Sequence, residues 1–229
     1  MVVLQYTQPR KNTIGITLEL IDIWNTTWRD TEREREEYDL TKSDTWRIAA
    51  SKTRNPEDGD WWYTAGYKFF ENWVTWRKEN SHIAIHMVDD KTPGIELEMA
   101  PVVAGVKVKM AIDRVMVNKD TGELYIIDLK TGKNHPRTGL QLGFYAYGLR
   151  HTYGTDVGTG YYWNARKMEL SQPFNLADYD DSKIETLVSM FQKARTSGIF
   201  IPNYDSCSMC GYTATCLWYV KKEKENDEQ

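Results

Sequence analysis

One stretch leaves this chain few ways to fold: residues 105–131, GVKVKMAIDRVMVNKDTGELYIIDLKT. Apolar and polar residues alternate through GVKVKMAIDRVMV (105–117), the period of a β-strand with one covered face. The turn-forming run NKDTGE follows, and LYIIDLKT then resumes an extended pattern. The reading is a β-hairpin whose first strand is 105–117. On that strand Val106, Val108, Met110 and Ile112 share one face, and Lys107, Lys109, Ala111 and Asp113 share the other.

The hairpin carries charge where packing alone would favour apolar residues. Asp128 and Lys130 are two apart, so on a strand both side chains lie on one face. With the hairpin in register, Asp113 approaches that face from the neighbouring strand. Two adjacent carboxylates repel, and one pKa rises. A divalent cation relieves that repulsion, and hard oxygen ligands suit Mg²⁺ or Mn²⁺. The backbone carbonyl of Leu129 is a third candidate ligand. Lys130 would then lie where it can orient a nucleophile or neutralise charge on a phosphate. Taken alone, Asp-x-Lys also fits an ordinary surface ion pair.

The flanks supply the remaining elements. Residues 13–37 read as a helix, with Ile16, Leu20, Ile23, Trp24 and Trp28 at helical spacing. Asn55, Pro56, Asp58 and Gly59 mark a turn, and 61–79 read as a second helix. IELEM (95–99) alternates as a strand. Residues 138–151 and 183–197 read as helices, TGYYWNARKMEL (159–170) as a strand, and KKEKENDEQ as a frayed tail. Helices, a strand group, a helix, a strand and a helix make an α/β sandwich around a mixed sheet. The expected organisation is one domain over 1–220. It comprises N-terminal helices to about residue 80, a core over 95–200, a cysteine segment over 205–218, and a tail over 221–229.

Composition excludes some classes. No apolar run is long enough to span a bilayer, and the N-terminus lacks a signal-peptide pattern, so a cytoplasmic protein is expected. The net charge of −4 rules out a uniformly basic nucleic-acid binder but leaves room for a local basic groove.

AIDRV, YIIDLKTG and QLGFYAYGL, in that order, resemble the PD-(D/E)XK nuclease superfamily. The nearest likeness is to its RecB-like branch, which includes CRISPR-adaptation and many phage exonucleases. That branch pairs an Asp-Arg strand with Asp/Glu-x-Lys-Thr-Gly on the next strand and Gln-x-x-x-Tyr on a helix. The resemblance implies a restriction-endonuclease-like α/β core, with Asp113 and Asp128 as metal ligands and Lys130 as the catalytic lysine. It also implies that Gln141 and Tyr145, one helical turn apart, contact DNA near the cleaved phosphate. The branch carries an upstream Gly-x-x-x-His helix. GITLE places Glu19 at the histidine position, with Glu71 a rival and Glu96 or Glu98 a more distant candidate.

CSMCGYTATC holds all three cysteines, Cys207, Cys210 and Cys216. An odd, clustered set suggests a metal rather than a disulfide framework. In the families this chain resembles, three such cysteines join an N-terminal one around a [4Fe-4S] cluster. No Cys precedes Gly15 here, so either the N-terminus is shorter than the family's or a non-Cys group completes an iron-sulfur or zinc site.

The function implied is a metal-dependent DNA exonuclease acting on ends or single strands, alongside phage or bacterial recombination, repair or replication proteins. Lys107, Lys109, Lys133, Arg137 and Arg150 would track phosphates, and Trp61, Trp62 or Tyr161 would stack on bases. A restriction-like endonuclease and a non-catalytic DNA-binding module are the competing expectations.

Overall fold

The computed structural model describes residues 13–37, 59–199, 203, 207 and 216. The turn expected at 55–58 and the tail lie outside them. The chain divides into two compact units, Met1–Ser189 and Met190–Gln229. The first contains the sheet, the helices before it and the N-terminal half of the last helix. The second begins within the last helix and carries the cysteine segment.

A seven-stranded mixed sheet forms the centre, in the order β1-β5-β6-β7-β8. Its strands are β1 (Ile83–Ile85), β2 (Ile95–Met99), β5 (Met110–Asn118), β6 (Leu124–Lys130), β7 (Thr159–Asn164), β8 (Glu169–Leu170) and β9 (Phe174–Asn175). The hairpin β5–β6 is antiparallel, with Arg114 opposite Ile127 and Val117 opposite Leu124. β6 and β7 run parallel, joined by helix α3 (Leu140–Tyr153) as the crossover. β1 and β2 share the free edge of β5, while β8 and β9 share that of β7.

Each face of the sheet is covered. Leu142, Tyr145, Ala146 and Leu149 of α3 bury against Leu97, Ile112, Val115 and Ile126. On the other side, Trp73 and Trp76 of α2 (Gly59–Glu79) meet Met116, Ile127 and Trp163. The Trp73 and Trp163 rings pack edge to face at 5.0 Å. A third cluster joins Tyr147 to Val103 on the small hairpin β3–β4 (Val102–Val103, Val106–Lys107) and to Ile184 and Val188 of α4 (Asp181–Ser197). Helix α1 (Thr13–Glu37) lies against α2, with Trp24 filling the space over Gly66.

Two strand expectations are corrected. Residues 105–117 are not one strand: the extended pairing breaks at Val108 and Lys109, and Val106–Lys107 pairs instead with Val102–Val103. Ala104 and Gly105, both at positive φ, close that tight turn. Likewise 159–170 is a hairpin, because Ala165–Met168 turns β7 back onto β8. In both cases alternation continued through a turn that period-2 reading cannot see.

The face assignment also shifts. Ile112 and Val115 share the α3-side core, while Met116 belongs to the α2-side core and the Arg114 guanidinium lies 6.0 Å from the Trp73 ring. Strict alternation would put 112, 114 and 116 on one face. The irregularity falls at Asp113, across from Glu96, whose φ of 45° is left-handed.

Candidate active site

The irregular step carries the chemistry. Ladder pairing between β5 and β6 ends at Arg114 and Ile127, one step before Asp113 would face Asp128. There the Asp113 side chain takes over: its Oδ2 accepts the Leu129 N–H at 2.7 Å. Behind it, buried Arg114 binds Glu96 at 3.1 Å and also donates to the Asp113 carbonyl. The acidic strand end is thus braced from the α2 side.

Asp128 is buried on β6, facing α3. Lys130 follows on the same face, its Nζ 2.5 Å from Asp128 Oδ2 and 3.0 Å from Gln141 Oε1. Gln141 Nε2 in turn donates to Tyr145 Oη at 2.7 Å. The Lys130 ammonium also lies 5.5 Å from the Tyr162 ring. Asp113, Asp128, Lys130, Gln141 and Tyr145 therefore form one connected group between the hairpin and the first turns of α3.

Its electrostatics set two carboxylates and an ammonium against each other. Burial pushes the Asp128 carboxyl up to about 6, with the charge of Asp113 adding and Lys130 opposing. Asp128 Oδ2 is buried with the Lys130 ammonium as its close charged partner, and the Tyr145 hydroxyl lies near the same carboxyl. An under-satisfied buried carboxylate oxygen beside a second carboxylate fits a hard divalent ion. Burial also pushes the Tyr145 hydroxyl up to about 12, so it remains a proton donor. Among the described residues no group of three or more Asp, Glu, His or Cys gathers around a common point. Asp113 and Asp128 thus stand as a pair, and Glu19, exposed on α1, does not join them.

A family model of the PD-(D/E)XK nuclease superfamily matches residues 17–217. The chain belongs to that superfamily. It is also 30% identical over 161 residues to the Gene 69 protein of Mycobacterium phage D29. That match covers 67% of this chain and 58% of the phage protein, so the chain spans little more than half of that relative's length. The fold fits the superfamily: a mixed sheet flanked by helices, with a carboxylate-bearing hairpin at its centre.

The other candidates fall in different places. Lys133 and Arg137 are exposed in the loop between β6 and α3, and Lys107, Lys109 and Glu98 are exposed. Arg150 is engaged with Asp181 at 2.6 Å. Glu71 pairs with Lys68 at 3.4 Å. Trp61 and Trp62 lie against Arg166, and Tyr161 packs edge-on to Tyr125. Cys207 is half-buried and Cys216 exposed, each a free thiol, while Cys210 lies outside the described residues. Sequence reasoning missed Tyr162, whose ring reaches Lys130 from β7, and Asn164, which lies across from Lys130 in the strand register. Their signal is only the parallel register that sets them beside Asp128 and Lys130.

Proposed function

We propose that this nuclease is a divalent-metal-dependent DNA exonuclease of the RecB-like branch, acting on ends or single strands in phage or bacterial DNA recombination, repair or replication. The observation that carries this reading is the buried, under-satisfied Asp128 beside Asp113 and Lys130. Asp113, Asp128 and the Leu129 carbonyl would hold Mg²⁺ or Mn²⁺, which supplies Lewis acidity and positive charge at the scissile phosphate. Lys130, held by Gln141, orients the attacking water and offsets charge gathering on the phosphate oxygens. Water adds to phosphorus and one P–O ester bond breaks. Tyr145 fixes Gln141 and keeps its own proton. Lys133 and Arg137 take flanking phosphates. The spacing of Cys207, Cys210 and Cys216 supports an iron-sulfur or zinc site that braces rather than reacts.

The test is digestion of end-labelled linear and closed circular DNA with Mg²⁺, Mn²⁺ or EDTA. Loss of linear DNA only, abolished by EDTA, is expected. Nicking of the circle would establish an endonuclease instead, and no cleavage with either metal would leave a DNA-binding module.

A further inference from the structure

Three consecutive carbonyls leave β6 just where Lys130 sits, and three consecutive residues of the β7–β8 turn take them. The Lys130 carbonyl accepts the Ala165 N–H at 2.8 Å. The Thr131 carbonyl accepts Arg166 Nε at 2.5 Å. The Gly132 carbonyl accepts Asn164 Nδ2 at 3.0 Å. Asn164 is fully buried, and its Oδ1 accepts the N–H groups of Arg166 and Lys167 at 3.0 and 3.1 Å, which fixes the turn that does the gripping. Helix α2 holds this turn from behind. Asn72 donates to the Ala165 carbonyl at 2.8 Å, and the Arg166 guanidinium lies 4.9, 5.6 and 5.4 Å from the ring centres of Trp61, Trp62 and Phe69.

We propose that Arg166, boxed by the aromatic rings of α2, is a positioning residue that fixes the exit of β6 and so aims Lys130. The inference deepens the nuclease reading and rests on it. Thr131 to Asn134 are exposed, so little packing restrains this exit apart from the grip. Lys130 must hold its ammonium between Asp128 and Gln141, and a small displacement there degrades a pre-organised site. The guanidinium does two jobs at once: its charge sits among the three rings and its Nε edge meets the carbonyl. A lysine carries its charge and its donors on one compact terminal group, so it cannot sit among the rings and reach the carbonyl from a separate Nε edge at the same time. The box also gives Trp61 and Trp62 an intramolecular task in place of stacking on bases.

The test compares Arg166→Ala, Arg166→Lys and Trp61→Leu in the full chain. In Arg166→Ala, kcat on DNA is expected to fall roughly 10- to 100-fold, the scale of small misplacements remote from the chemistry. KM, DNA affinity in EDTA and the salt dependence of that affinity should stay within about 2-fold of wild type, because no phosphate contact is lost. Arg166→Lys should not rescue, and Trp61→Leu should fall between wild type and Arg166→Ala. Amide hydrogen exchange gives a readout that needs no activity. The N–H groups of Ala165 and Lys167 should exchange faster in Arg166→Ala, with those of α3 unchanged. If the wild type cleaves no DNA, the exchange result still decides the grip, so the two readings fail separately. Weakened DNA affinity with a shallower salt slope would make Arg166 a phosphate contact and overturn the proposal. Full rescue by lysine, or unchanged kcat and exchange in Arg166→Ala, would overturn it too.

Discussion

Asp128 is the residue on which stability and activity pull against each other. Its carboxyl is raised to about 6 in the folded chain, above its unfolded value. The folded state therefore binds more protons than the unfolded state between roughly pH 4 and 6, and stability falls as pH rises through that window. Above it the ionised, buried carboxylate costs on the order of 3 kcal/mol in the metal-free protein. Asp128→Asn should remove that dependence. In EDTA its urea midpoint is expected to exceed that of wild type at pH 7, by an equivalent of up to about 3 kcal/mol, since the raised carboxyl already includes the Lys130 ion pair, and to converge with it below pH 4. Cleavage by the same variant should be abolished; cleavage at the wild-type rate would remove Asp128 from the site. Lys130 predicts a different pattern. Lys130→Ala should lower the rate roughly 10²-fold while leaving metal affinity by calorimetry intact, since an ammonium is no ligand. Lys130→Arg should not restore it, because a compact ammonium fits between Asp128 and Gln141 where a planar fork does not.

Elements deliver these residues, and α3 does so through close packing. Gly143 lies under Tyr179: a Cβ there would meet the Tyr179 Cβ and Cγ at 2.5 Å. Neither is the free end of a flexible chain, so helix or 3-10 segment (Leu176–Tyr179) must shift. Gly143→Ala gains about 1 kcal/mol of helix propensity and loses more to overpacking. A net loss of roughly 1–2 kcal/mol by chemical denaturation is expected, with a lower kcat because Gln141 and Tyr145 ride on the same helix; a stabilised Gly143→Ala would show that the contact yields cheaply. Tyr179 has a second role here. Gly139 precedes α3 without a side-chain cap, and its N–H donates to the Tyr179 hydroxyl at 3.2 Å. The hairpin is positioned differently, by a local break. Glu96 in a left-handed conformation and Asp113 across from it let β5 change faces, which sends Arg114 toward Trp73 and leaves Asp113 free to bind Leu129 N–H.

Across the whole molecule, the net charge of −4 means that the DNA proposed as substrate would have to meet a local basic path. Lys133 and Arg137, exposed in the loop that follows Lys130, are the proposed path. Replacing each with Ala should lower the slope of log affinity against log salt by about 1 and weaken binding to all DNA sequences alike, as measured by titration at several salt concentrations; an unchanged slope would place the phosphates elsewhere. That Asp128 and Lys130 share a strand face, and Gln141 and Tyr145 a helix face, was legible in the sequence, because these are local facts: the first needs only period 2, the second only one helical turn. The helices α1, α2 and α4 were legible for the same reason. The sequence also carried the α/β class, through its order of elements. What it could not carry was anything that depends on which segments become neighbours. Strands of two or three residues such as β1, β8 and β9 have no periodicity to read, and exist because β5 and β7 offer them an edge. The break at Asp113 is invisible to alternation, since it arises from pairing with Glu96. The burial that lifts Asp128, the capture of Arg150 by Asp181, and the grip of Asn164, Ala165 and Arg166 on the exit of β6 all join residues distant in sequence. Residue types and local spacing set which side chains share a strand or helix face; the parallel crossover through α3 and the packing of α2 decided which of those faces meet, because both join segments distant in sequence.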